Sequence, residues 1–276
     1  MPSDESDLWK RILETPSVKK SMLEHGFFLS STSFREITSS FDAHMRFRAP
    51  EYLSKDFWSR QSPFLVEQGY YVIRTGVGKF ALLDERVFPK PYLSLLPTGA
   101  KDLTPRTPQS FSQLKRAFDE NAQENAALEQ MRFLGIFEQM MVDMFGEDKY
   151  LVGPRGNRGS SFDIFVETKG HDKLRLCSYQ GQEELDYSVW TEDKVLLIEA
   201  KQTHGSTGFL DPGWHKLVYP ASRFRDYKVS LFPTYFLRRP KEILMFVFPS
   251  VKFYETGIII NDELAMKPER IYRVRL

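Results

Sequence analysis

The hydrophobic pattern of this chain is dominated by short continuous apolar runs of strand length. Residues 195–198 read Val-Leu-Leu-Ile, 243–248 read Ile-Leu-Met-Phe-Val-Phe, and 257–260 form a further short run. Runs of four to eight apolar residues fit strands buried on both faces. Before the first of them, 187–190 favours β structure and 191–194 is a polar turn, so the segment ending at Gln202 reads as one hairpin. A second hairpin is expected at 69–83, with a glycine-bearing turn at 75–78. Helical periodicity marks 8–23, interrupted near Pro16 and stopped at His25-Gly26, and then 34–41, capped by the hydroxyls of 31–33. The longest helical pattern covers 110–145, where Ala127, Met131, Leu134, Met141 and Phe145 recur at three- and four-residue intervals. Pro212-Gly213-Trp214 opens a short helix that ends at Pro220.

The apolar run at 195–198 gives way abruptly to charge. Strand alternation places Glu199 and Lys201 on one face, with Ala200 turned the other way and its carbonyl beside them. Asp186, at the start of the partner strand, comes back beside Glu199. Two carboxylates and a carbonyl make an oxygen set suited to Mg²⁺. A lysine next to such a set can orient a water and stabilise developing hydroxide, the arrangement of metal-assisted phosphodiester hydrolysis. The plainer reading is that strands end at solvent and so often end in charge. Asp163, inside an expected strand at 162–166, is the rival first acid.

The loop that leads into that strand, 153–159, carries three glycines with Arg155 and Arg158. It lacks the Gly-Lys-Ser/Thr ending of a nucleotide-binding loop. Its arginines suit a phosphodiester backbone, or are simply exposed in a turn. Gln202, directly after Lys201, can hydrogen-bond water or substrate. His204 reads as a loop residue, because metal and lysine already cover its chemistry. Residues 41–60 mix Arg46, Arg48, Lys55, Trp58 and Arg60 with Asp42, Glu51 and Asp56, which fits either a DNA-facing surface or a solvated, internally paired face.

The Asp186 and Glu199-Ala200-Lys201 pattern resembles the PD-(D/E)xK nuclease superfamily. With Gln182-Glu183-Glu184-Leu185-Asp186 before it and Lys216 to Pro220 after it, the stretch 130–260 looks like a group of bacterial type II restriction endonucleases. Leu185 stands where that pattern has proline, and Lys216 where a glutamine is expected. The resemblance implies an α/β fold: an αβββαβ core with a mixed central sheet flanked by helices, plus an N-terminal α/β specificity region. It also implies Mg²⁺, cleavage of double-stranded DNA at a specific sequence, and a homodimer. Asp186, Glu199 and Ala200 would hold the metal. Lys201 would position water, and Glu138, on the apolar stripe of the preceding helix, would support the site or else pair with an arginine. Arg155, Arg158 and Gln202 are the DNA-contact candidates. Competing expectations are a repair nuclease indifferent to sequence, and a catalytically silent DNA-binding protein of the same fold.

Composition adds bounds. The 276 residues suffice for one large domain or two small ones. A proline-rich stretch, 89–108, suggests a division into an N-terminal recognition region, 1–108, and a nuclease domain, 109–276. The formal net charge is only +1, so any nucleic-acid surface must be local. Cys177 is the single cysteine, which excludes an intramolecular disulfide and a cysteine-rich zinc site. No signal-peptide pattern opens the sequence, and no apolar run approaches the ~20 residues of a membrane span. The expectation is a cytoplasmic protein with no membrane partner.

Overall fold

The computed structural model describes residues 3–25, 27–39, 41, 48–106, 123–170, 172–203, 208–254, 257–260 and 267–276. In chain order the helices are α1 (Ser3–Glu14), α2 (Pro16–His25), α3 (Ser31–Ser39), α4 (Ala49–Leu53), α5 (Pro63–Glu67), α6 (Glu124–Phe133), α7 (Ile136–Phe145) and α8 (Trp214–Val218). The strands are β1 (Phe27–Ser30), β2 (Tyr70–Gly76), β3 (Lys79–Asp84), β4 (Lys101–Asp102), β5 (Leu151–Val152), β6 (Gly156–Glu167) and β7 (Lys173–Leu185), followed by β8 (Tyr187–Trp190), β9 (Lys194–Gln202), β10 (Ser230–Arg239), β11 (Glu242–Val247), β12 (Gly257–Ile260) and β13 (Arg270–Arg275). They form an α/β fold with a seven-stranded mixed sheet, order β4-β13-β11-β10-β9-β8-β5, and two three-stranded sheets, β1-β3-β2 and β12-β6-β7. No helix among the described residues is long and apolar enough to cross a membrane.

The large sheet is organised around β9. It pairs antiparallel with β8 through the expected hairpin, whose turn is closed by Thr191 N–H donating to the Lys194 carbonyl at 2.9 Å. On its other edge β9 runs parallel to β10, reached by way of α8. Burial explains the uninterrupted apolar run. Leu196 and Ile198 face the layer formed by α6 and α7, while Val195 and Leu197 pack with Leu185, Phe224 and Leu231 on the opposite face. Each such fully buried side chain contributes roughly 1.5–3 kcal/mol.

Sequence and structure part at three places. The pattern at 110–145 is not one helix: its described part divides into α6 and α7 at Gly135, which takes a left-handed φ of 67° as the N-cap of α7. Residues 107–122 lie outside the described part. The glycine-rich stretch is not a loop from end to end either. From Gly156 onward it is strand, paired with β7 from Gly156↔Leu185 to Glu167↔Lys173. Its first half, Asn157 to Gly159, is exposed and offers no apolar alternation, so only the backbone ladder marks it. The expected strand at 162–166 is the second half, and its Phe162, Ile164 and Val166 are buried.

The proline-rich stretch is packed rather than a free linker. Phe88, Tyr92, Leu93 and Leu95 are buried in a central cluster that also takes Tyr71 and Leu83 from one side and Tyr179, Trp214, Tyr235 and Phe246 from the other. Leu93 and Leu95 donate backbone hydrogen bonds to the carbonyls of Pro212 and Leu210, and Lys101–Asp102 joins the edge of the large sheet. Proline removes donors and regular structure, but it leaves apolar side chains free to pack. The N-terminal sheet is likewise shared: Val72, Phe80 and Leu82 face the helices of residues 3–67, while Tyr71, Ile73, Ala81 and Leu83 face the central cluster.

Gly257 shows how tightly β12 is seated. A Cβ there would lie 1.8 Å from the Asp163 carbonyl oxygen, a backbone atom that cannot swing away. Gly257→Val is expected to destabilise the protein by about 2 kcal/mol or more, the scale of overpacking against a rigid partner. Equilibrium urea denaturation checks it, and an unchanged midpoint would mean the strand yields.

Candidate active site

One step beyond the Tyr187↔Ile198 pair, the β8–β9 register sets Asp186 opposite Glu199, and residues so opposed project to the same face. Asp186 occupies the single-residue break between β7 and β8, and its Oδ2 accepts a hydrogen bond of 2.7 Å from the Ala200 N–H. The carboxylate is thereby fixed to the strand that carries Glu199. Lys201 Nζ lies 2.9 Å from Glu199 Oε1 and donates to the Ala200 carbonyl at 2.7 Å. Asp186, Glu199, Ala200 and Lys201 therefore come together at the end of β9.

The centre of the site is buried while its rim is partly exposed, with Lys201 and Glu124 accessible. Glu199 is 6% exposed, and burial pushes its carboxyl up to about 7 against the opposing pull of Lys201 and Lys216. For Lys201 burial acts downward, but Glu199, Asp186 and Glu124 outweigh it, so its pKa rises and the side chain stays an ammonium. Glu124, the first residue of α6, is the helix acid that reaches this site, with Oε2 3.8 Å from Lys201 Nζ. Burial raises its carboxyl too, while Lys201 and the Gln202 backbone N–H draw it down. Gln202 thus touches the site through its main chain, and its side-chain Oε1 is buried with no hydrogen-bond partner among the described residues.

A second cation stands behind the first. Lys216, on α8, is raised despite its burial by Glu199 and Asp56, and its Nζ is 3.4 Å from Asp56 Oδ2. His215 Nε2 lies 3.6 Å from Asp56 Oδ1, beyond good hydrogen-bond length. Burial lowers the His215 pKa, so the ring is neutral at pH 7. Burial works against the Asp56 carboxylate, yet the opposing contacts, the charge of Lys216 among them, outweigh it and hold its pKa well below the usual carboxylate range. A residue from the N-terminal region thus anchors a lysine that in turn acts on Glu199.

The remaining candidates lie elsewhere or are otherwise engaged. Glu138 does not join the constellation. Its Oε1 is 3.4 Å from Arg106 Nη1, and it lines a pocket with Lys101, Asp102, Gln139 and Asp143. It sits in the first turn of α7 at the edge of the apolar stripe, 39% exposed, which is why the stripe alone mislocated it. Asp163 belongs to β6 in a different sheet, where Arg175 Nη2 at 2.7 Å and Ser178 Oγ at 2.6 Å hold it. Arg155 pairs with Glu129 at 3.3 Å and lies over the Tyr187 ring, while Arg158 is exposed on β6. His204 is outside the described residues.

Among the described residues no three His, Cys, Asp or Glu side chains are grouped to hold a metal. Mg²⁺ needs fewer protein ligands, one or two carboxylates with water and phosphate oxygens completing the shell. Asp186, Glu199 and the Ala200 carbonyl meet that demand with oxygen alone. The buried Glu199 carboxyl, pushed toward neutrality, is a group whose charged form a nearby cation favours. No family model, curated protein or solved structure matches this chain.

Proposed function

We propose that this chain is a Mg²⁺-dependent deoxyribonuclease of the type II restriction class, hydrolysing phosphodiester bonds in double-stranded DNA and working as a homodimer. The observation that carries the reading is the meeting of Asp186, Glu199, the Ala200 carbonyl and Lys201 at one strand end. The topology supports it: α6 and α7, the antiparallel strands β5, β8 and β9, then α8 and the parallel strand β10 follow the αβββαβ succession of PD-(D/E)xK nucleases. The long β6–β7 hairpin is then an insertion between the first and second core strands.

Asp186, Glu199 and the Ala200 carbonyl would hold the ion. Bound there, Mg²⁺ supplies a more acidic water and neutralises charge developing on the phosphate. Lys201, held between Glu199 and Ala200, donates hydrogen bonds and carries fixed positive charge toward the reacting phosphate. As a retained ammonium it orients and stabilises rather than removing a proton. Glu124 steadies that ammonium from the helix side, and Lys216 adds a second positive charge near Glu199.

Purified protein is expected to cut unmethylated phage and plasmid DNA into discrete fragments with Mg²⁺ and to leave it intact with EDTA. Electrophoresis and end-sequencing of the fragments read the result. Smears or end-dependent loss would favour a sequence-indifferent repair nuclease. Intact DNA under every divalent cation tried would leave only a silent fold.

A further inference from the structure

The sheet edge that ends in Lys201 continues sideways into a basic strip. Strands β9, β10 and β13 run in the same direction, so their C-terminal ends lie along one edge, joined by the start of β11. In register, Lys201 is beside Leu237, and two residues further along, Arg239, Glu242 and Arg275 lie level across β10, β11 and β13. The alternating burial fixes their face. Tyr235, Leu237, Leu244 and Phe246 point into the central cluster, whereas Phe236, Ile243, Met245, Tyr272 and Val274 point to the α6–α7 side. Arg239, Glu242, Arg273 and Arg275 therefore share a face with Glu199 and Lys201.

These residues, with Lys241 and Pro240, line a groove of about 770 Å³. The acids present only partly balance them. Glu242 pairs with Arg239 at 3.0 Å and Arg273 at 3.3 Å, and Asp102 lies within 3.8 Å of both Arg273 and Arg275. Four cations against two acids leave an excess of positive charge. Arg275 is 74% exposed and Lys241 is exposed in the turn between β10 and β11. At about 4.8 Å per strand, the distance from β9 to β13 is about 14 Å. Measured along the helix axis, where one DNA strand carries a phosphate about every 3.4 Å, that length corresponds to about four phosphates.

We infer that this groove is a phosphate track, on which the nucleic-acid backbone leaving the Lys201 site runs across β10 and β11 toward Arg275. The inference rests on the nuclease reading for the scissile phosphate and adds the surface that holds the flanking ones. Phosphate contacts position the duplex without reading its bases, so the track is indifferent to sequence.

The test measures binding of fluorescently labelled duplexes of unrelated sequence at several salt concentrations, without divalent cation so that no strand is cut. In the double variant Lys241→Ala/Arg275→Ala the slope of log affinity against log salt is expected to become shallower by about 2, close to 0.9 per lost contact, equally for every sequence. Lys149→Ala/Lys228→Ala, which removes two exposed lysines beside the opposite edge of the large sheet, where β9 and β10 begin, serves as the control and is expected to leave the slope unchanged. An unchanged slope in the groove variant, from a protein that binds and cuts DNA, overturns the track and leaves the nuclease reading standing. A reduced slope in a protein that cuts under no metal keeps the track and removes the nuclease. Absence of duplex binding by the wild type overturns both.

Discussion

Lys201→Ala and Glu199→Ala are each expected to lower DNA cleavage by about 10³-fold or more while leaving duplex binding intact. The size reflects what each side chain supplies: fixed charge and donors at a site where charge develops, worth about 10²–10³ in rate for a single preorganised donor, and more where a metal ligand is lost. Removing Lys201 also leaves Glu199, 6% exposed, without its partner at 2.9 Å, so some stability is lost with the activity. Glu199→Gln separates the two effects. It keeps the shape and a hydrogen-bond acceptor for Lys201 but cannot carry a negative charge, so it should fold like the wild type and still fail to cut. Initial cleavage rates, binding without metal and urea midpoints for the three variants make the check. Wild-type cleavage in any one of them would remove the residue from the chemistry.

A larger effect on stability is expected at Glu183, outside the group formed by Asp186, Glu199 and Lys201. This residue of β7 is 6% exposed, and its Oε1 has no hydrogen-bond partner among the described residues. It lines a polar cavity of about 200 Å³ with Arg74, His215 and Lys216. Burial pushes its carboxyl from an ordinary 4.5 up to about 7, against the charges of Arg74, Lys216 and Arg223. Between those two values the folded protein holds a proton that the unfolded chain has released, so this residue's contribution to stability falls as pH rises through the interval and stays low above it. Glu183→Gln removes that dependence. The variant is expected to gain stability over the wild type on going from pH 5 to pH 8, by at most about 3 kcal/mol, since each pKa unit is worth about 1.4 kcal/mol. Urea denaturation at the two pH values reads the difference, and parallel pH profiles would show that the carboxyl is ionised in the fold.

Much of the site is legible in the sequence because it is local. Asp186, Glu199, Ala200 and Lys201 sit within one hairpin, and strand alternation alone decides which of them share a face. The partners that arrive by tertiary packing are not legible in that way. Glu124 stands at the start of α6 behind Gln123, whose side chain makes no capping bond, so nothing in the local sequence marks a helix beginning there. An acid one turn ahead of the stripe that starts at Ala127 was the available sign. Lys216 and Asp56 are 160 positions apart, and no periodicity connects them. The overall α/β class and a mixed sheet flanked by helices are readable from the apolar runs, whereas the Asn157-to-Gly159 half of β6 is held by backbone pairing that leaves no hydrophobic trace.

The sharing of the β1–β3–β2 sheet between two clusters bears on how the protein is made. The face with Val72, Phe80 and Leu82 finds its cover among helices already synthesised. The face with Tyr71, Ile73, Ala81 and Leu83 is met first by Phe88, Tyr92, Leu93 and Leu95, and its cover is completed only by Tyr235, Phe246 and Ile258, which leave the ribosome some 150 residues or more later. Chains emerge at about 5–20 residues per second, so for about ten seconds or more that apolar sheet face is only partly covered. The nascent N-terminal half therefore keeps part of that face open until the strands beyond the β8–β9 hairpin close over it.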